Sequence, residues 1–222
     1  MTLPKLHYYS ATGKAHQIRL ALASANIEFE DIHPSCGFPP SEEQKVEWQK
    51  LGGNSTTNIP MLVMPNGKVY TQSSAVLRAV GRMGNIMPNS DDGQYLLDKL
   101  LGDAEDLRTL AYGSFVAWGA PMEMYEKFVN KVLPLHLGNF ERILIEGGGN
   151  YFVENDKLTI ADVSVYDAVM NFGANRAPIG CLDKFTTLKK WIERVESNPG
   201  IAAYLSSDQY ANIEMKFNRD MK

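Results

Sequence analysis

Residues 58–80, NIPMLVMPNGKVYTQSSAVLRAV, run from a proline through two short apolar segments and a turn into a helical pattern. Met61–Met64 and Val69–Thr71 flank Pro65-Asn66-Gly67. Asn-Gly supplies the positive φ angles of a tight turn, so the two segments read as a β-hairpin. Ser74–Met83 then closes the stretch as a helix.

Upstream the same alternation continues. Lys5–Tyr9 reads as a strand, with Leu6 and Tyr8 on one face and His7 and Tyr9 on the other. Gly13 breaks it, and Ala15–Ala25 carries Ile18, Leu20, Leu22 and Ala25 on a helical period that ends at Asn26. Ile27–Ile32 is a second strand, and a proline-marked polar stretch leads to a short acidic helix, Ser41–Lys50. The order β-α-β-α-β-β-α is that of a small α/β domain, assigned to residues 1–83.

Downstream the character changes. Residues 84–92 are turn-formers and read as a linker. Residues 93–222 show only helical periods, punctuated by Pro121, Pro134, Gly147–Gly149, Pro178 and Pro199, and read as an all-helical domain. Within it, Thr159 and Asp162 form a capping-box pattern with Leu158 and Val163 at the staple positions, a folding device rather than a reactive site. The tail, Asn212–Lys222, carries no pattern that places it.

Composition narrows the function. The chain has 222 residues, 44% hydrophobic and 22% charged, the balance of a globular protein with material for one or two cores. A net charge of −4 argues against nucleic acid as a partner, because phosphate binding wants a basic surface. No apolar run of about 18 residues is present to span a membrane. Met1-Thr2-Leu3-Pro4-Lys5 lacks the apolar core of a secretory signal, and two cysteines, Cys36 and Cys181, suit reduced thiols, so a cytoplasmic location is expected. His7, His16, His33 and His136 show no ligand spacing, and no metal is expected.

Five stretches together resemble the cytosolic glutathione transferases that use a tyrosine, the group of mu, pi, alpha and sigma classes, with the sigma-like members nearest. They are KLHYYSATGKAHQIR, NIPMLVMPNGKVYTQSSAVLRAV, GDAEDLR, LTIADVSVYDA and LKKWIERVESNPGIAAYL, in order and at compatible spacing. The resemblance implies a thioredoxin-like first domain, a helical second domain, a homodimer active in detoxification, and glutathione as co-substrate with no bound cofactor. The match is ungapped from Lys5 to Arg19 and places the functional phenol at Tyr8 rather than Tyr9; strand alternation alone does not choose between the faces. Serine-type relatives carry their hydroxyl where Gly13 stands here, and the cysteines lie away from the position that cysteine-type relatives use.

The same resemblance implies a glutathione site. Ile59-Pro60, after Asn58, is expected to be a cis bond that turns the Ile59 backbone toward the tripeptide, although a plain loop proline is the reading without the family. Gln72 and Ser73 stand where a strand gives way to a helix, a place suited to the γ-glutamyl carboxylate; Ser73 also reads as an ordinary helix cap. Trp48 and Lys50 fall near the residues that relatives use for the glycine carboxylate, with a shortened step between them, and Lys50 reads equally as a solvated surface lysine. Lys14 replaces the arginine of many relatives and lacks its planar fork. Asp106 matches the aspartate that meets the γ-glutamyl amine across the dimer; pairing with Arg108 is the alternative. Phe115 and Val116 are expected to line the pocket for a hydrophobic electrophile, although helical aromatics are more often core. Thr56 stands where relatives insert an aromatic key into the partner subunit, so a polar dimer contact is expected. Conjugation is the leading activity. Sigma-type isomerase or peroxidase chemistry on the same thiolate, and a non-enzymatic carrier or structural role, are the alternatives.

Overall fold

The computed structural model describes residues 2–34, 37–53 and 59–221. Packing divides them into two units, residues 1–85 with 200–215, and residues 86–199 with 216–222. The division at Asn85 falls inside the stretch read as a linker. The return of residues 200–215 to the first unit has no counterpart in the sequence pattern, because it is made by packing rather than by periodicity.

The first unit is built on a four-stranded sheet in the order β2-β1-β3-β4. Strands β1 (Lys5–His7) and β2 (Glu30–Ile32) are parallel, whereas β3 (Met61–Val63) is antiparallel to β1 and to β4 (Val69–Thr71). Leu6 pairs with Leu62 across the sheet, and both are fully buried. The hairpin closes as its residues require. Gly67 takes φ 83° and its N–H donates to the Met64 carbonyl, while the Asn66 side chain accepts from the Lys68 N–H.

Helix α1 (His16–Ser24) is entered through a 3-10 turn at Gly13–Ala15. It ends with Asn26 at φ 53° and the Ile27 N–H returning to the Leu22 carbonyl, the left-handed stop that asparagine tolerates. The Ser41 hydroxyl caps α2 (Glu42–Lys50), accepting from the Gln44 N–H. Helix α3 (Ser73–Met83) turns Val76, Leu77 and Val80 into the core. The returning segment adds α9 (Pro199–Leu205) and α10 (Asp208–Ala211). Gly200 approaches the Ala23 carbonyl so closely that no Cβ fits between them, and Tyr210 stacks on the buried His16 ring.

The second unit contains α4 (Asp91–Tyr112), α5 (Met122–Lys127), α6 (Leu133–Glu146), α7 (Ile160–Asp167) and α8 (Thr186–Glu196), and π-helical turns extend α5 and α7. The capping box forms at α7. The buried Asp162 carboxylate accepts from the Thr159 N–H (2.9 Å) and hydroxyl (3.0 Å), the Phe152 N–H (2.9 Å) and the Trp191 indole N–H (3.0 Å). Burial pushes its carboxyl above the usual carboxylate range, and those donors pull the other way. Arg108 on α4 and Asp167 on α7 form a second buried anchor, with Arg108 also donating to the Ser164 carbonyl at 2.6 Å. Burial pushes Asp167 up to about 6 against the pull of Arg108.

Candidate active site

Tyr8 follows β1, and its N–H still donates to the Ile32 carbonyl beside the sheet. Its phenol oxygen accepts the Lys14 backbone N–H at 3.1 Å. An oxygen that accepts an amide directs its own hydrogen away from that amide, which leaves a hydroxyl oriented to donate elsewhere. Gly13 makes the approach feasible. It takes φ 39°, and a Cβ there would stand 2.5 Å from the Tyr8 oxygen. Tyr9 faces other partners, with its ring edge-on to Phe38 and to the buried Trp48.

The loop between Tyr8 and Lys14 is held by a residue that the sequence reading passed over. Arg19 is wholly buried on α1 and grips Asp31 with two nitrogens, at 2.6 and 3.2 Å. The same guanidinium donates to the carbonyls of Ala11 (2.7 Å), Tyr9 (3.4 Å) and Thr12 (3.5 Å). It also lies 5.8 Å from the centre of the Tyr8 ring. The signal was present. Ala15, Ile18, Arg19 and Leu22 share one helical face, so a charged residue occupies a core position.

The Ile59–Pro60 bond is cis and immediately precedes β3. Gln72 is exposed and takes φ 69° and ψ 112°, a left-handed backbone that costs a side-chain-bearing residue about 1–3 kcal/mol. Ser73, half-buried, is the first residue of α3, and the Gln72 side chain makes no cap to that helix. Trp48 is buried on α2, Lys50 is exposed at the end of the same helix, and Lys14 is half-buried. Asn58 and Thr56 lie outside the described residues.

In the second unit, Asp106 is exposed on α4 and makes no ion pair among the described residues. Arg108 turns instead to Asp167, because residues two apart on a helix do not share a face. His136 on α6 feels the field of Asp106 and Asp103, but burial holds its imidazole below the ordinary value. Phe115 is corrected. It has no exposed surface, with Trp118 stacked at 4.3 Å and the Arg176 guanidinium 3.6 Å from its ring centre. Both contacts, and Phe217 at 4.8 Å, make it core, so it lines no pocket. Val116 is half-buried at the start of a 3-10 turn ending at the exposed Trp118. Among the described residues no helix is long and apolar enough to cross a membrane, and no group of side chains has the makings of a metal site.

Two family models match the chain, the glutathione S-transferase N-terminal domain over residues 4–81 and its C-terminal domain over residues 106–208. Glutathione S-transferase Mu 3 of Homo sapiens is 31% identical, over 94% of this chain and 90% of its own length. The chain belongs to the glutathione S-transferase family. Glutathione S-transferase P 10 of Caenorhabditis elegans is 28% identical over 92% of this chain and 91% of its own length. The pi-class glutathione S-transferase of Onchocerca volvulus matches the fold with a TM-score of 0.79 over 99% of both chains, at 23% identity. In the first unit of this family member stand Tyr8 with its amide donor, the cis-proline turn and the start of α3. Asp106 and Val116 stand in the second.

Proposed function

We propose that this chain is a cytosolic, homodimeric glutathione transferase that joins the glutathione thiolate to hydrophobic electrophiles, with Tyr8 activating the thiol. The observation that supports the reading is the Lys14 N–H on the Tyr8 oxygen, which positions the phenol and keeps its own hydrogen from pointing at that amide. A cysteine-type thiol titrates near ~8.5 and only its thiolate attacks, so a donor to the sulfur raises the reactive fraction at neutral pH. Each unit of lowered pKa corresponds to about 1.4 kcal/mol. The thiolate forms the new carbon–sulfur bond as the electrophile's leaving group departs with its electron pair, or as a conjugated carbon takes up a proton.

The remaining residues bind. The α3 N-terminus at Ser73, presented by the left-handed Gln72, offers unpaired amides to the γ-glutamyl carboxylate. The Ile59 backbone, turned at Pro60, pairs with the cysteinyl peptide, and Asn58 precedes it. Trp48, through its indole N–H, and Lys50 are assigned to the glycine carboxylate, and Lys14 contributes its charge nearby. Asp106 of the partner subunit receives the γ-glutamyl amine, and Val116 belongs to the electrophile pocket.

Retention on immobilised glutathione followed by a conjugation assay with a generic aryl halide tests the reading. Tyr8→Phe is expected to keep glutathione affinity within about twofold while the pKa of the bound thiol rises by about one to two units. A larger rise in Tyr9→Phe overturns the assignment of Tyr8.

A further inference from the structure

The loop that delivers the Lys14 amide is tied down on a second side, by the end of the returning segment of the same unit. The Met215 N–H donates to the Ser10 carbonyl and the Thr12 N–H donates to the Met215 carbonyl, both at 2.9 Å. Together they make a parallel bridge between Ala11 and Met215. The Ser10 hydroxyl accepts the Glu214 N–H at 3.0 Å and donates to the Asn212 carbonyl at 3.5 Å, and the Thr12 hydroxyl reaches the Met215 carbonyl at 3.5 Å. Ile213 is buried, whereas the Asn212, Glu214 and Met215 side chains are exposed. On the side of residues 212–215 the attachment is therefore made by the backbone and one buried anchor, which the Ser10 and Thr12 backbone and hydroxyls meet from the loop. Arg19 holds the carbonyls of Tyr9, Ala11 and Thr12 from the other side. Between them, the two supports engage every residue from Tyr9 to Thr12, the stretch leading into Gly13 and the Lys14 amide.

We propose that residues 212–215 are a positioning strap for Tyr8, which fixes Ser10–Thr12 and thereby sets the Lys14 amide against the phenol oxygen. The strap never touches the reacting atoms. It acts through the 3.1 Å contact between Lys14 and Tyr8, and such bonds weaken steeply as geometry loosens. A loop freed from the strap would keep Arg19 but lose its register, so the phenol would donate to sulfur from a less defined position. The proposal rests on Tyr8 activating the thiol.

Met215→Pro deletes the N–H that reaches Ser10, since proline has none, while the extended backbone it favours suits the bridge. Ser10→Ala removes the hydroxyl that joins Asn212 and Glu214. Both are measured in the full chain, alone and combined with Tyr8→Phe. The readouts are the ultraviolet absorbance of the bound thiolate against pH, the pH profile of kcat/KM, and hydrogen exchange at Thr12 and Lys14. The expected result is a bound-thiol pKa raised by about half to one unit, which is about three- to tenfold less thiolate on the acid limb of the profile. Exchange at Lys14 is expected to quicken, and the strap variants should add nothing further in the Tyr8→Phe background. A purely structural role would lower stability without moving the thiol pKa. If Met215→Pro does not fold, Ser10→Ala decides by the same readouts. A shifted pKa in Tyr8→Phe with unshifted values in every folded strap variant overturns the strap alone. An unshifted pKa in Tyr8→Phe removes the phenol reading and the strap with it.

Discussion

One methyl group measures how closely the phenol is held. Alanine at residue 13 would place its Cβ 2.5 Å from the Tyr8 oxygen and 2.9 Å from the ring, in a backbone at φ 39° that alanine disfavours. The backbone cost alone is about 1 kcal/mol. The phenol is at the end of a side chain that can swing, so the cheaper response is for Tyr8 to move off the Lys14 amide. Gly13→Ala is therefore expected to stay folded, with a melting temperature lower by only a few degrees. If Tyr8 activates the thiol as proposed, kcat for conjugation should fall at least about tenfold, while KM for glutathione changes little, because the methyl group displaces the phenol and leaves the start of α3 untouched. Steady-state kinetics beside a thermal melt reads both. Unaltered kcat would mean that the phenol's placement above Gly13 is unrelated to the chemistry.

At the scale of elements, what the sequence announces is what local chemistry decides. The Asn66-Gly67 hairpin, the stop of α1 at Asn26, the Thr159–Asp162 box and the strand-helix order of the first unit all form where the residues place them. Each depends on φ preference or on a hydrogen bond within a few residues. Two features were less legible. Asp162 reads as a helix cap, yet its second oxygen also accepts the Phe152 amide and the Trp191 indole, residues brought to it only by folding. Phe115 sits on a pattern shared by pocket and core aromatics, and Arg176 over its ring decides for core. Arg19 and the strap show the same limit in the site, since their partners lie 7 to 12 and more than 200 residues away in sequence respectively. The shared role of Asp162 has a measurable consequence. Asp162→Ala leaves four donors without their acceptor, each worth about 1–3 kcal/mol when buried and unsatisfied. Partial relaxation and water entry bring the expected loss to about 3–5 kcal/mol, a drop in melting temperature of roughly 10 °C. Asp162→Asn keeps one acceptor oxygen and should lose less. An alanine variant that melts within about 2 °C of the parent would show that the donors find other partners.

For the whole molecule the question is whether one subunit suffices, and Asp106 is the residue that answers it. Its carboxylate is exposed, Arg108 is committed to Asp167, and its field reaches His136 on the same unit. An exposed acid that makes no ion pair among the described residues contributes little to stability where it stands, so asparagine in its place should not disturb the fold. On the proposed reading it serves the neighbouring subunit instead, accepting from the γ-glutamyl amine, while the α3 N-terminus holds the carboxylate on the same carbon. A charge-assisted hydrogen bond shielded from water is worth roughly 1.5–3 kcal/mol. Asp106→Asn keeps an acceptor but removes the charge, so glutathione affinity is expected to fall by about tenfold or somewhat more, at ~1.4 kcal/mol per factor of ten. The melting temperature should be unchanged. With the carboxylate supplied by the partner, as proposed, dilution of the wild-type chain until it dissociates should cost the same factor, and dilution of Asp106→Asn should cost almost nothing further. Titration calorimetry across the dissociation range, with sedimentation to fix the state of assembly, reads both effects. A wild-type monomer that binds glutathione as tightly as the dimer would place the whole site within one subunit and leave Asp106 to the solvent.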